Sequence, residues 1–88
     1  MSNTLFSRYY SSFLPTLALG DRNFSVIMLQ KALYLTGYYQ DVIDGIFGAT
    51  TLAAVQAFQT ARNLTADGVV SLTTWEQISQ DAELDQIY

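Results

Sequence analysis

An all-α domain is what this sequence predicts: a compact three-helix bundle with an additional amphipathic helix ahead of it. Three observations carry that expectation. Apolar residues recur at intervals of three and four in four separate runs. Pro15, Gly20, Gly37, Gly45, Gly48 and Gly68 all fall between those runs. The stretch DGIFGATT, residues 44–51, returns 23 positions later as DGVVSLTT, residues 67–74, so one turn-then-helix signal is written twice.

The first run covers residues 4–14, where Leu5, Phe6, Tyr9, Tyr10, Phe13 and Leu14 recur with serines between them. It stops before Pro15, whose ring and missing N–H would break a helix interior. The second, 24–36, is opened by the polar residues 20–23 and closed by Gly37, which suits the left-handed cap that ends many helices. Val26, Leu29, Ala32 and Leu33 form its inward stripe. Phe24, Ile27, Met28, Tyr34 and Leu35 make the rest of it apolar too, as in a helix covered on both sides.

The third run, 49–62, is expected to turn Leu52, Val55, Phe58, Ala54 and Ala61 inward and Gln56, Gln59 and Thr60 largely outward, with Asn63 ending it. The fourth, 72–79, points Trp75 and Ile78 inward, and Ser71 suits its N-cap. Residues 81–88, DAELDQIY, read as an acidic, frayed tail. The expected core is Val26, Leu29, Leu33, Phe47, Leu52, Val55, Phe58, Trp75 and Ile78. The expected organisation is an N-terminal helical extension over 1–17, a domain over 18–80 and the tail.

Each Asp-Gly pair stands just before a helix. Glycine accepts positive φ without steric cost, and aspartate can accept hydrogen bonds from backbone N–H groups that the turn leaves unpaired. The apolar pair that follows, Ile46 and Phe47 or Val69 and Val70, can pack before the helix begins. Thr50, Thr51, Thr73 and Thr74 fall in the first helical turns, where hydroxyls can serve donors that lack a partner.

Composition excludes several functions. The chain has no histidine and no cysteine, which removes the commonest general base, the commonest zinc ligands and any Ser/His or Cys/His nucleophile pair. Its net charge is −4, with four scattered basic residues, so it lacks the basic patch that nucleic acid requires. No apolar run is long enough to span a membrane. The start, MSNTLFSRYYSSFLPTLALG, is a poor secretion signal, because Arg8 interrupts the apolar residues instead of preceding them. A complete chain of this kind is expected in the cytoplasm, and a piece of an exported protein in the cell envelope. Asp41, Asp44 and Asp67 read as turn residues rather than calcium ligands, because DVIDGIFGATTL ends in Leu52 where a calcium loop ends in glutamate. No cofactor and no metal are expected.

The order LQKALYLTGYY, DGIFGATTLAAVQAFQ, NLTADGVVSLTTWEQI resembles the peptidoglycan-binding domain family, small three-helix modules found beside many cell-wall hydrolases. The family pattern reads approximately LQ, LGYY, DGxFG with T following, AAVxxFQ, then L, DG and TW, and the match covers residues 18–78. Ser71-Leu72 stands where the family commonly has Gly-Pro. The resemblance implies a non-catalytic binding module for peptidoglycan, with a shallow groove bordered by the first Asp-Gly turn and the helix after it. The positions this implies are Tyr39, Asp44, Gly45, Phe47, Gly48 and Thr50, with Gln59 and Arg62 as weaker additions. A second expectation keeps the fold but not the wall ligand. In it the chain is an intracellular interaction subunit, or a homo-oligomer, that docks through Leu5, Phe6, Tyr9, Phe13, Phe24, Ile27, Met28 and Leu35.

Overall fold

The computed structural model describes residues 15–82. Three helices make up the regular structure among them: α1, Phe24–Leu35; α2, Ala49–Ala61; and α3, Leu72–Ala82. The amphipathic helix expected over residues 4–14 lies outside the described residues.

Local sequence marks the start of each helix and the end of α2. Asn23 caps α1, its Oδ1 accepting from the Val26 N–H at 3.1 Å. Gly48 starts α2 with its carbonyl accepting from the Leu52 N–H, and Ser71 starts α3 in the same way by accepting from Trp75. Asn63, at φ 62°, follows the end of α2.

The core contains every residue expected there except Leu52, which is half-buried against it, and adds Leu17, Tyr39 and Val70. α1 packs against both α2 and α3, and Tyr38 meets Phe58 edge to face at 5.6 Å between ring centroids. Two expectations about α2 are corrected. Ala61 is exposed, and Gln59 faces inward with 1% of its surface exposed. α3 also runs three residues beyond the expected Ser79. Ala82 is buried, and the Asp81 carboxylate pairs with the Arg62 guanidinium at 3.4 Å.

The segment before α1 joins the two Asp-Gly turns. Leu17 exchanges backbone hydrogen bonds with Val70 at 3.1 and 2.8 Å. Further along, Gly20 donates to Phe47, Phe47 to Asp21, and Asn23 to Gly45, which makes the bridge between Arg22 and Ile46. The Trp75 indole N–H donates to the Pro15 carbonyl at 3.1 Å. One short extended segment thus pins residues after both turns and closes the bundle through isolated bridges.

Candidate functional site

The repeated Asp-Gly turns are each held by a buried glutamine from the preceding helix. In the first, Gln30 Oε1 accepts from the Asp44 and Gly45 N–H groups at 3.0 and 2.9 Å. Gln30 Nε2 faces four oxygens: Asp44 Oδ1 at 3.1 Å, the Ile46 carbonyl at 3.1 Å, Thr51 Oγ1 at 3.0 Å and the Tyr39 hydroxyl at 3.3 Å. Asp44 Oδ1 in turn accepts from the Ile46 N–H at 3.0 Å.

The second turn repeats the pattern. Gln59 Oε1 accepts from the Gly68 N–H at 3.0 Å. Its Nε2 donates to Asp67 Oδ1, the Val69 carbonyl and Thr74 Oγ1, at 3.1 to 3.2 Å. Asp67 Oδ1 accepts from the Val69 N–H at 2.9 Å. A primary amide suits this position because it presents an acceptor and two donors in one plane, so a single side chain can satisfy both kinds of buried backbone group.

The glycines are required by conformation and by space. Gly45 and Gly68 have φ of 79° and 76°. A Cβ on Gly68 would stand 2.4 Å from Leu52 Cδ1, and one on Gly45 would stand 3.1 Å from Ile27 Cγ1.

Of the residues singled out at the first turn, Asp44 and Thr50 are exposed, Gly48 is half-buried, and Gly45, Phe47 and Tyr39 are buried. Tyr39 is 3% exposed and donates its hydroxyl to the Val42 carbonyl, so its ring is packed rather than offered to a ligand. Burial raises its pKa, with Asp44 and Asp41 adding to the rise and the Thr51 hydroxyl opposing it. Gln59 belongs to the second turn. Arg62 reaches away from both turns, to Asp81 and to Gln77 Oε1 at 3.0 Å. Among the docking residues, Phe24 and Leu35 are 64% and 48% exposed, and Ile27 and Met28 are half-buried. Leu5, Phe6, Tyr9 and Phe13 lie outside the described residues.

A concave surface lies at the second turn. A groove of about 380 Å3 is lined by Gln59, Asn63, Leu64, Thr65, Asp67, Val69, Ser71, Thr73 and Thr74. Five of these nine carry hydroxyl or carboxylate groups, and Leu64 and Val69 supply apolar surface. Among the described residues no three acidic side chains converge as a metal site would require.

The Asp44 carboxylate is held below the usual aspartate range, chiefly by the Ile46 N–H and then by the Gln30 amide. A depressed folded-state pKa contributes stability above the unfolded value, and that contribution is lost as pH falls through the folded one. In thermal melts, the stability advantage of wild type over Asp44→Asn is therefore expected to be full near neutrality and to shrink below about pH 4. A pH-independent difference would show that the carboxylate charge does not hold the turn.

Residues 22–78 match the family described as "Putative peptidoglycan binding domain". A protein of Kitasatospora aureofaciens, named only as uncharacterized and lying in the bpoA1 3' region, is 43% identical over 70 residues, which is 78% of this chain and 59% of that protein. The zinc D-Ala-D-Ala carboxypeptidase of Streptomyces albus G is 42% identical over 69 residues, 74% of this chain and 26% of the enzyme. Among solved structures, the SleB N-terminal domain superposes with a TM-score of 0.76 at 29% identity, covering 77% of this chain and 93% of that domain. The chain thus spans about 59% and 26% of the lengths of these two relatives.

Proposed function

Because the chain belongs to the peptidoglycan-binding domain family, we propose that it is a non-catalytic module that attaches to cell-wall peptidoglycan and leaves bond cleavage to other catalytic machinery. The observation that carries this reading is the open groove at the second Asp-Gly turn, lined by hydroxyl, amide and carboxylate groups together with Leu64 and Val69. A site of that kind orients a polar ligand without a nucleophile, and this chain has neither histidine nor cysteine to supply the usual ones.

Asp44 and Thr50 extend the binding surface at the first turn. Tyr39, Gly45, Phe47, Gly48 and Gln59 act by holding the turns in shape. Arg62 acts by anchoring α3 to α2, in an exposed ion pair worth about 0.2 to 1 kcal/mol.

The test is co-sedimentation with insoluble peptidoglycan, with the supernatant assayed for released fragments. Wild type is expected in the pellet, with no fragments above background. Asp44→Ala and Thr73→Ala, both at exposed positions, are expected to shift protein into the supernatant while their melting transitions remain cooperative. Wild type remaining wholly in the supernatant would overturn the reading.

A second reading rests on a different observation. Phe24, Tyr34 and Leu35 leave the outer side of α1 exposed and apolar, which is characteristic of protein contacts. In that reading α1 docks a protein partner or a second copy of the chain. A doubled mass in sedimentation, returned to the monomer value by Leu35→Glu, would support the second copy.

A further inference from the structure

An Asp-Gly pair is prone to rearrange without any enzyme, because glycine has no side chain to shield its backbone nitrogen. That nitrogen, once it loses its proton, attacks the aspartate Cγ. The new N–Cγ bond closes a five-membered imide, and a carboxyl oxygen leaves as water. Water then adds to the main-chain carbonyl of the ring, the bond from that carbonyl to nitrogen breaks, and nitrogen recovers a proton. The product is isoaspartate, unchanged in mass, with the chain running through the side-chain carboxyl and longer by a methylene. The sequence offers this chemistry at two places, Asp44-Gly45 and Asp67-Gly68.

In each turn one glutamine holds both reacting groups. Gln59 Oε1 accepts from the buried Gly68 N–H at 3.0 Å, and Gln59 Nε2 donates to Asp67 Oδ1 at 3.2 Å. Gln30 holds the first pair in the same way, accepting from the buried Gly45 N–H at 2.9 Å and donating to Asp44 Oδ1 at 3.1 Å. The proton that a base must remove is therefore bonded out of reach of water. The carboxylate that must swing toward the nitrogen is fixed a second time by the N–H two residues on, that of Val69 or Ile46. Reaction requires the turn to open.

The two turns are not held equally. Gln30 Oε1 also accepts from the Asp44 N–H, Gln30 Nε2 also meets the Tyr39 hydroxyl, and the Gly45 carbonyl accepts from the Asn23 N–H at 3.1 Å. The Ile46 N–H and the Gln30 amide hold the Asp44 carboxyl ionised, which lowers the fraction of neutral acid able to lose water. At the second turn, pairing with the segment before α1 begins only at Val70, beyond the Asp-Gly pair, and Asp67 lines an open groove.

We propose that Asp67 is a latent site of isoaspartate formation, held dormant by Gln59, and that Gln30 holds Asp44 in the same way but more tightly. Isomerisation at Asp67 would lengthen the chain and shift a carboxylate in the lining of the groove. This chemistry is independent of what the groove binds.

The test incubates wild type, Gln59→Met, Gln30→Met and Ile78→Ala at neutral pH below their melting transitions, alongside wild type unfolded in guanidinium chloride. Peptide mapping with electron-transfer fragmentation quantifies isoaspartate at each position. Methionine keeps the unbranched shape of glutamine but not its amide. Ile78→Ala weakens the buried core from α3, which carries neither glutamine. Unfolded wild type is expected to react at both positions at comparable rates, and folded wild type more slowly at both, with Asp67 ahead of Asp44. Gln59→Met is expected to speed the reaction at Asp67 by about tenfold or more, and Gln30→Met that at Asp44, because each turn then opens without breaking its buried hydrogen bonds. Each change is expected to leave the other turn near the wild-type rate, and Ile78→Ala to show no such preference. Equal rates in folded and unfolded wild type would overturn the proposal, as would glutamine variants that speed both positions alike. Asp44 ahead of Asp67 in folded wild type would overturn the ranking of the two turns.

Discussion

Replacing Gln30 with alanine is expected to destabilise the domain by about 3 to 5 kcal/mol, because the change leaves buried partners unpaired as well as a void. The Gly45 N–H is buried and depends on Gln30 Oε1, the Asp44 N–H shares that oxygen, and the Thr51 hydroxyl is buried beside Nε2. Each orphaned buried group costs about 1 to 3 kcal/mol. Because the first turn is also tied to Gly20, Asp21 and Asn23, its loss would loosen the segment that closes the bundle. Gln30→Glu separates shape from hydrogen bonding. It retains the acceptor and the volume but loses the amide hydrogens and sets a second carboxylate against Asp44. Chemical denaturation showing Gln30→Glu as stable as wild type would refute the role given to the Nε2 donors.

The second large effect is expected from Phe58→Ala, at about 3 to 5 kcal/mol. The ring is fully buried, meets Tyr38 edge to face, and sits on α2 next to Gln59. Losses of that size are a large share of the roughly 5 to 15 kcal/mol that holds a domain together. The damage is expected to extend to the second turn, since a shifted α2 carries Gln59 away from Gly68. Urea titration should show a lower midpoint. A midpoint within error of the wild-type value would mean that the core is not organised around this ring.

Much of this arrangement was legible in the residues. Glycines and capping residues set the helix limits among the described residues to within one residue, except at the end of α3, where a polar sequence concealed both the burial of Ala82 and the Arg62–Asp81 pair. The two Asp-Gly turns and the capping role of their aspartates followed from the chemistry of those residue types. Gln59 did not, because an amide in an amphipathic pattern reads as solvent-facing, and only its partners on the following turn reveal why it is buried. A signal was present: LQ and FQ each precede an Asp-Gly pair, and Gln59 lies four residues after Val55 on the buried stripe. Leu17 was equally concealed, since its burial depends on a backbone pairing with Val70, 53 residues away.

Motif letters name positions but not their exposure, for a physical reason. The resemblance directed attention to the first turn, where a loop six residues longer between glutamine and Asp-Gly brings Tyr39 into the clamp, whereas the groove lies beside the second turn. Loop length differs between the two turns without changing the motif itself.

The central claim is that this chain is a binding module whose ligand sits at the second glutamine-clamped turn. Its most direct test is to follow backbone amide resonances while solubilised peptidoglycan fragments are added. The account predicts saturable shifts concentrated between Asn63 and Thr74, with the buried amides of α1 little changed. Absence of any saturable shift, or shifts confined to the outer side of α1 around Phe24 and Leu35, would contradict it.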